Sequence, residues 1–237
     1  MSTQEAAQER IGNRLLAKLP PEELEFLRPH LERVSLAHGD ILISPHEPVR
    51  YLYFPLTALG SLVTIMEDGS TVESGTAGRE GLIGVPALLD AGETTMQTLA
   101  QIPGEALRIK ASVCKSLLDQ GGAFHKLFHR YIHTLFIVAS QSAACNRLHR
   151  VEARLCRWLL MSSDGVGSHE LDLTQEFLSA MLGVRRAGVT EAALKIQAAG
   201  LIHYLRGHIT ILNREGLEAA ACECYRVVRD EYDRLLG

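Results

Sequence analysis

The sequence is short of aromatic residues: Phe, Trp and Tyr together make up 5% of its 237 residues, with one tryptophan. No apolar run approaches the roughly 20 residues that cross a bilayer as a helix, which excludes a helical membrane protein. Met1 to Arg10 is polar and acidic, which fits neither a signal peptide nor a transit peptide. The five cysteines, Cys114, Cys145, Cys156, Cys222 and Cys224, are odd in number and mostly far apart. They form no secreted disulfide framework, so a cytoplasmic protein with reduced thiols is expected. The run Gly75, Gly78, Gly81, Gly84 lacks the Lys-Ser/Thr of a phosphate-binding loop. No Ser-His-Asp order or paired-carboxylate site stands out, and nothing recommends an enzyme.

An excess of positive charge is missing too. The net charge is −4, whereas nucleic-acid-binding domains are usually basic. The average conceals a split. Residues 1–119 carry 10 Lys/Arg against 16 Asp/Glu, and residues 120–237 carry 14 against 12. What is present in quantity is ordinary globular material, 46% hydrophobic and 22% charged. That supports one large domain or two small ones.

The hydrophobic period changes along the chain. Ile11 to Leu31 reads as short helices broken at Pro20-Pro21. From Val34 onward come short β-type runs: Ile41-Leu42-Ile43, Tyr51 to Phe54, Leu62 to Ile65, Thr71-Val72, Met96 to Gln101 and Ala106 to Ile109. Asp68-Gly69 between two such runs marks a hairpin. Strands at this spacing predict a sandwich or barrel. After a short helix at Ser112 to Leu118, a long helix fits Ala123 to about Arg147. Phe124, Phe128, Tyr131, Leu135, Val138, Ser142 and Cys145 recur along it at four-then-three spacing. That is a coiled-coil-like seam, too long to bury on a barrel of ~110 residues, and it predicts self-pairing in a homodimer. Another helix fits Val151 to Met161, and Ser162 to Gly167 reads as a loop.

The C-terminal third carries the sharpest pattern. Asp172-Leu173-Thr174 caps a helix from Gln175 to Met181, ended by Gly183. A second helix runs from about Arg185 to Ala199, closed by Gly200. Leu201 to Leu205, a turn at Arg206-Gly207-His208, and Ile209 to Leu212 then form a hairpin. This is a helix-turn-helix with a β-wing, an arrangement that lays the second helix in a DNA major groove.

The stretch Leu173-Thr174-Gln175-Glu176-Phe177-Leu178-Ser179-Ala180-Met181-Leu182-Gly183-Val184-Arg185-Arg186 resembles the helix-turn-helix of the Crp/Fnr family of bacterial transcription regulators. Val189, Leu194, Gly200 and Leu201-Ile202 continue the likeness, which spans nearly the whole chain. The resemblance implies an α+β protein in three parts. Residues 1–120 would form a β-roll, a jelly roll like that of cyclic-nucleotide-binding domains. Residues 121–150 would form the dimerisation helix, and residues 151–237 a winged helix-turn-helix. It implies double-stranded DNA, a second copy of the chain and RNA polymerase as partners. Arg186 is the expected base contact, since arginine pairs with both guanine acceptors, and Arg185 reads a base or holds phosphate. Thr174, Gln175, Thr190, Lys195 and Arg206 are phosphate candidates.

The chain departs from the family where cyclic AMP is held. Members that bind it carry a Gly-Glu-Leu step and an Arg-Ser pair on the cyclic phosphate. Here Val85 follows Gly84, and Thr95-Met96 replaces the pair. Without that cation, control by cyclic AMP is not expected, and Arg79, the nearest basic residue, reads as an exposed turn residue. No cysteine precedes Cys114, so the family's N-terminal iron–sulfur cluster is not expected either. Whether the roll has an effector stays open.

His125, His129 and His133 share one face of the long helix, but Lys126 and Arg130 beside them oppose a cation. Cys145 lies on the seam and reads as a small buried residue, with a disulfide across a dimer axis as the alternative. Cys222-Glu223-Cys224 is too short to specify a metal. No metal or other cofactor is therefore expected. The competing reading of the whole chain is a ligand, metal or haem sensor whose helix-turn-helix docks a protein.

Overall fold

The computed structural model describes residues 11–237. The chain opens with a 3-10 turn at Leu16–Lys18, helix α1 (Pro21–Leu27) and a second 3-10 turn at Arg28–His30. Pro21 occupies the first turn of α1, where its missing N–H breaks no helical bond. Seven strands follow: β1 (Glu32–Leu36), β2 (Ile41–Ile43), β3 (Tyr51–Pro55), β4 (Leu59–Ile65), β5 (Thr71–Ala77), β6 (Gln97–Ile102) and β7 (Gly104–Lys110). They form two antiparallel sheets, ordered β1-β7-β3 and β2-β6-β4-β5. This is the expected β-roll. Alternation drives it: Leu52 and Phe54 on β3 are fully buried, while Tyr51 and Tyr53 between them are only partly so. The Asp68-Gly69 hairpin joins β4 to β5, with Gly69 at φ 80°.

Helix α2 (Ala111–Asp119) leads to α3 (Ala123–Leu148), the long helix. At 26 residues it is about 39 Å long. Glu23 of α1 accepts both Ala123 N–H and Phe124 N–H at 2.6 Å, closing the N-terminus of α3 with a carboxylate.

The expected seam is corrected here. Phe124, Phe128, Tyr131, Val138 and Ser142 are all buried within their own chain, and Leu135 is partly so. The roll covers one part of this face: Tyr131 Oη donates to Leu82 O and accepts from Leu82 N–H. The remainder is covered by the last helix, α8 (Cys224–Leu236), whose Val228, Tyr232, Leu235 and Leu236 join the same core. Tail and roll together supply the apolar surface that the roll alone lacks. The face turned outward is one residue further round: Phe136 is 71% exposed, with Ala139 and Ala143 beside it.

Helix α4 (Val151–Val166) also exceeds expectation, running through the segment read as a loop and ending at Gly167 with φ 72°. Ser162 and Ser163 are buried, and Gly165 lies directly against Gly78 of the roll, leaving no room for a Cβ on Gly78. Tertiary contact thus holds the helix through polar residues. Arg79 is not an exposed turn residue: its guanidinium packs over Gly167, and its Nε is buried.

The rest of the chain is β8 (Glu170–Asp172), α5 (Gln175–Leu182), α6 (Arg186–Ala198), β9 (Ile202–Leu205), β10 (His208–Ile211) and α7 (Arg214–Ala220), before α8. Its sheet is ordered β8-β10-β9. Leu59, Val63 and Ile102 of the roll belong to the same apolar cluster as Leu178, Val189 and Ile196, so the C-terminal unit is docked on the roll. Among the described residues, no helix is long and apolar enough to cross a membrane.

Candidate nucleic-acid interface

Helix α5 begins at an N-cap threonine, where Thr174 Oγ1 accepts from Phe177 N–H at 3.2 Å. It stops at Gly183, whose φ of 61° suits a residue without a Cβ. Chain reversal there brings Leu178, Met181 and Leu182 against Val189, Ala192, Ala193 and Ile196. Burying those apolar positions turns the opposite face of α6 outward, with Arg186 and Ala187 on its exposed first turn. Arg185 is the N-cap of α6 and is exposed.

The wing brings a second cation to the same place. Arg206 and Gly207 have φ of 51° and 87°; two consecutive positive values give the tight turn that matches strand twist. Thr174, Gln175, Arg186, Tyr204, Arg206 and Gly207 line one hollow of about 390 Å³. Four of the seven sequence-expected residues therefore share one concavity. Thr190 closes its back, donating from Oγ1 to Gln175 Oε1 at 2.9 Å. Among the described residues, Arg185, Arg186 and Arg206 make no ion pair. Three guanidinium groups facing water without a carboxylate partner suit an external anion.

Lys195 is different. Its ammonium lies 2.7 Å from both Glu152 and Glu191, and these hydrogen bonds hold its pKa above the usual range. An ammonium already paired twice at the far end of α6 is not placed with the other cations. Tyr204, which sequence reasoning did not single out, lines the hollow and donates from its hydroxyl to Leu173 O at 2.9 Å. Its position on the wing strand was readable, but its meeting with Thr174 and Arg186 was not. His208 bonds Asp172 at 2.8 Å, which raises the imidazole pKa.

A second hollow, about 380 Å³, lies between the roll and α3. Leu62, Leu82, Val85, Met96, Leu135 and Phe136 are among its walls, with Thr94 and Thr98 as polar members. Among the described residues, no charged side chain lines it. Among the described residues, the histidines of α3 gather no ligand set: His129 Nδ1 is 2.8 Å from His125 O, and His133 faces Arg234.

Two family models match in chain order, the cyclic nucleotide-binding domain over residues 33–120 and the Crp-like helix-turn-helix domain over residues 153–220. The chain belongs to the Crp/Fnr family. No curated protein sequence matches it. Among solved structures, FixK2 from Bradyrhizobium japonicum is similar at TM-score 0.68 and 15% identity, over 81% of this chain and 98% of that one. A Crp/Fnr-family transcriptional regulator of Thermus thermophilus gives 0.64 at 23% identity, over 80% and 98%. The c-di-GMP-responsive global regulator CLP of Xanthomonas campestris gives 0.64 at 17%, over 81% and 99%. At these identities, the likeness is one of fold.

Proposed function

We propose that this Crp/Fnr member is a homodimeric, sequence-specific DNA-binding transcription regulator that does not respond to cyclic AMP. One observation carries the reading: the unpaired guanidinium groups of Arg186 and Arg206 share a hollow with Thr174 and Gln175 at the mouth of the helix-turn-helix. Arg186 reads a base in the major groove, Arg185 a base or phosphate, and Thr174, Gln175 and Arg206 hold the backbone. Lys195 drops out of the contact set because two carboxylates already hold it. RNA polymerase follows as a partner from the family resemblance.

Dimerisation is assigned to the outward face of α3. Ile132, Phe136, Ala139 and Ala143 repeat at four-three-four spacing, and Phe136 is 71% exposed. A heptad-like apolar stripe with small residues lets a second helix approach closely. Ile132, Phe136 and Ala139 also line the roll hollow, so a partner helix on this face borders the effector pocket. The absence of any charged wall there supports an uncharged, apolar effector, because a cyclic phosphate needs a cation or a cluster of N–H donors.

Selection of bound sequences from random duplexes with the ligand-free protein tests the reading. A two-fold-related site with half-sites about one helical turn apart is expected. Protein capture without DNA affinity, unchanged in Arg185→Ala/Arg186→Ala, would point to a docking module instead.

A further inference from the structure

The chain holds a second set of convergent ligands, far from both hollows. Cys145 lies in the last turn of α3, and His149 is that helix's C-cap. Cys222 stands in the link after α7, and Cys224 opens α8. The three Sγ atoms and a ring nitrogen all lie within 4.8 Å of one another. We propose that Cys145, His149, Cys222 and Cys224 bind a single zinc ion.

The distances suit a tetrahedron. Cys145 Sγ and Cys222 Sγ are 3.5 Å apart, and Cys224 Sγ is 3.4 Å from His149 Nδ1. Ligands on one zinc ion stand about 3.8 Å apart for two sulfurs and about 3.6 Å for sulfur and nitrogen, given the usual bond lengths. Thiolate and imidazole are the donors zinc prefers, and four protein ligands make a closed, structural site.

Surrounding groups fit the same purpose. His149 Nε2 lies 3.2 Å from Glu223 Oε2, which directs Nδ1 at the sulfurs, as a carboxylate does behind a metal-bound histidine. Gln141 Nε2 donates to Cys224 Sγ at 3.1 Å. Three thiolates around a dication leave one negative charge. The buried guanidinium of Arg157 acts electrostatically on Cys145 and Cys222, and among the described residues its Nε has no hydrogen-bond partner. An apolar core would not need this set: among the described residues, Ala153 alone packs on the cysteine cluster as a partly buried hydrophobic neighbour.

The site ties the end of α3 to the start of α8, beside the His149-Arg150 joint where α3 gives way to α4. Coordination releases the thiol protons to solvent and fixes that joint. Through it, the ion sets where the helix-turn-helix stands relative to the roll. That consequence rests on the DNA-binding reading; occupancy of the site does not.

The test uses the full-length protein purified without chelator. Mass-spectrometric metal analysis is expected to give about one zinc per chain. Cobalt exchanged into the wild type should show tetrahedral d–d bands and an intense thiolate charge-transfer band. Cys222→Ser and Cys224→Ser should each lose at least about ten-fold in metal affinity, whereas Cys114→Ser and Cys156→Ser keep it. The wild-type cobalt spectrum stands even if a ligand variant fails to fold. Less than about 0.1 zinc per chain with no cobalt spectrum overturns the assignment. So does a Cys145–Cys222 disulfide in the purified protein, or iron with acid-labile sulfide in place of zinc. A zinc-loaded protein that binds no DNA would refute the proposed function and leave the metal site standing.

Discussion

The two hollows of this molecule are nearly equal in size and opposite in chemistry. One, between roll and long helix, is walled by apolar side chains and a few hydroxyls, with no charge among the described residues. The other, between helix-turn-helix and wing, has two arginines, a threonine, a glutamine and a tyrosine. The first offers no counter-charge to an ion, and burying a lone charge is costly. The second is open to water and keeps its cations solvated until an anion arrives. One chain thus holds an uncharged hollow and a cationic one, and the −4 net charge averages over the difference.

Placing the same charge inside the roll hollow and beside the other one breaks the comparison most severely. Val138→Asp puts a carboxylate into the roll pocket at a buried position and is expected to cost about 3–5 kcal/mol of stability. Ala187→Asp on the exposed first turn of α6 should change stability by less than about 0.5 kcal/mol, yet weaken DNA binding by repelling phosphate. Thermal melts and gel shifts on the two variants separate these outcomes. Equal melts would mean that the roll pocket is open to solvent.

Next in size is Arg185→Ala/Arg186→Ala. Loss of two contacts is expected to cost about 2–4 kcal/mol, on the order of 100-fold in affinity, and to flatten sequence preference. An unchanged dissociation constant by anisotropy would remove α6 from the interface.

Glu73 lies between the two regions, on the roll face against which α4 packs. Its carboxylate accepts from Ser61 Oγ at 2.7 Å and Trp158 Nε1 at 2.8 Å. Burial nevertheless pushes its pKa from the usual 4.5 up to about 7. An acid raised on folding costs stability as pH climbs from its unfolded pKa to its folded one, and the cost is complete above about 7. Glu73→Gln is therefore expected to match wild type near pH 4.5 and to exceed it by about 1–2 kcal/mol at pH 8. A stability gain independent of pH would show that the carboxylate stays ionised throughout.

The smallest expected effect is at the wing. Arg206→Ala should weaken all duplexes alike by about 1 kcal/mol and reduce the salt slope by about one. A change in preferred sequence would instead make Arg206 a base reader.

Much of this was legible in the residues. The alternation at Tyr51 to Phe54, the Asp68-Gly69 hairpin and the glycine after Leu182 each act locally, so strand, turn and helix end could be read directly. Arg186 and Arg206 were named from the helix-turn-helix pattern, and both line the hollow. The misreadings share one cause. Spacing shows that a helix face is apolar, but not what covers it. Phe124, Phe128, Tyr131 and Val138 are covered by the chain's own roll and tail, which moves the free face to Phe136, Ala139 and Ala143. Ser162 to Gly167 looked like a loop because the contact between Gly165 and Gly78 joins residues far apart in the chain. Cys145 looked solitary for the same reason.

By itself, the sequence determined the order of parts, the loss of the cyclic-AMP-binding residues at Val85 and Thr95-Met96, and the cationic start of α6. These follow from residue type and near-neighbour spacing, where backbone geometry leaves little choice. Only the tertiary structure decided which face of α3 stays free, that Lys195 is already paired, and that two cysteines near the C-terminus meet a cysteine and a histidine more than 70 residues earlier. Those outcomes depend on packing α8 against α3 and α6 against α4, and no local period records which distant segment will supply the covering surface or the partner.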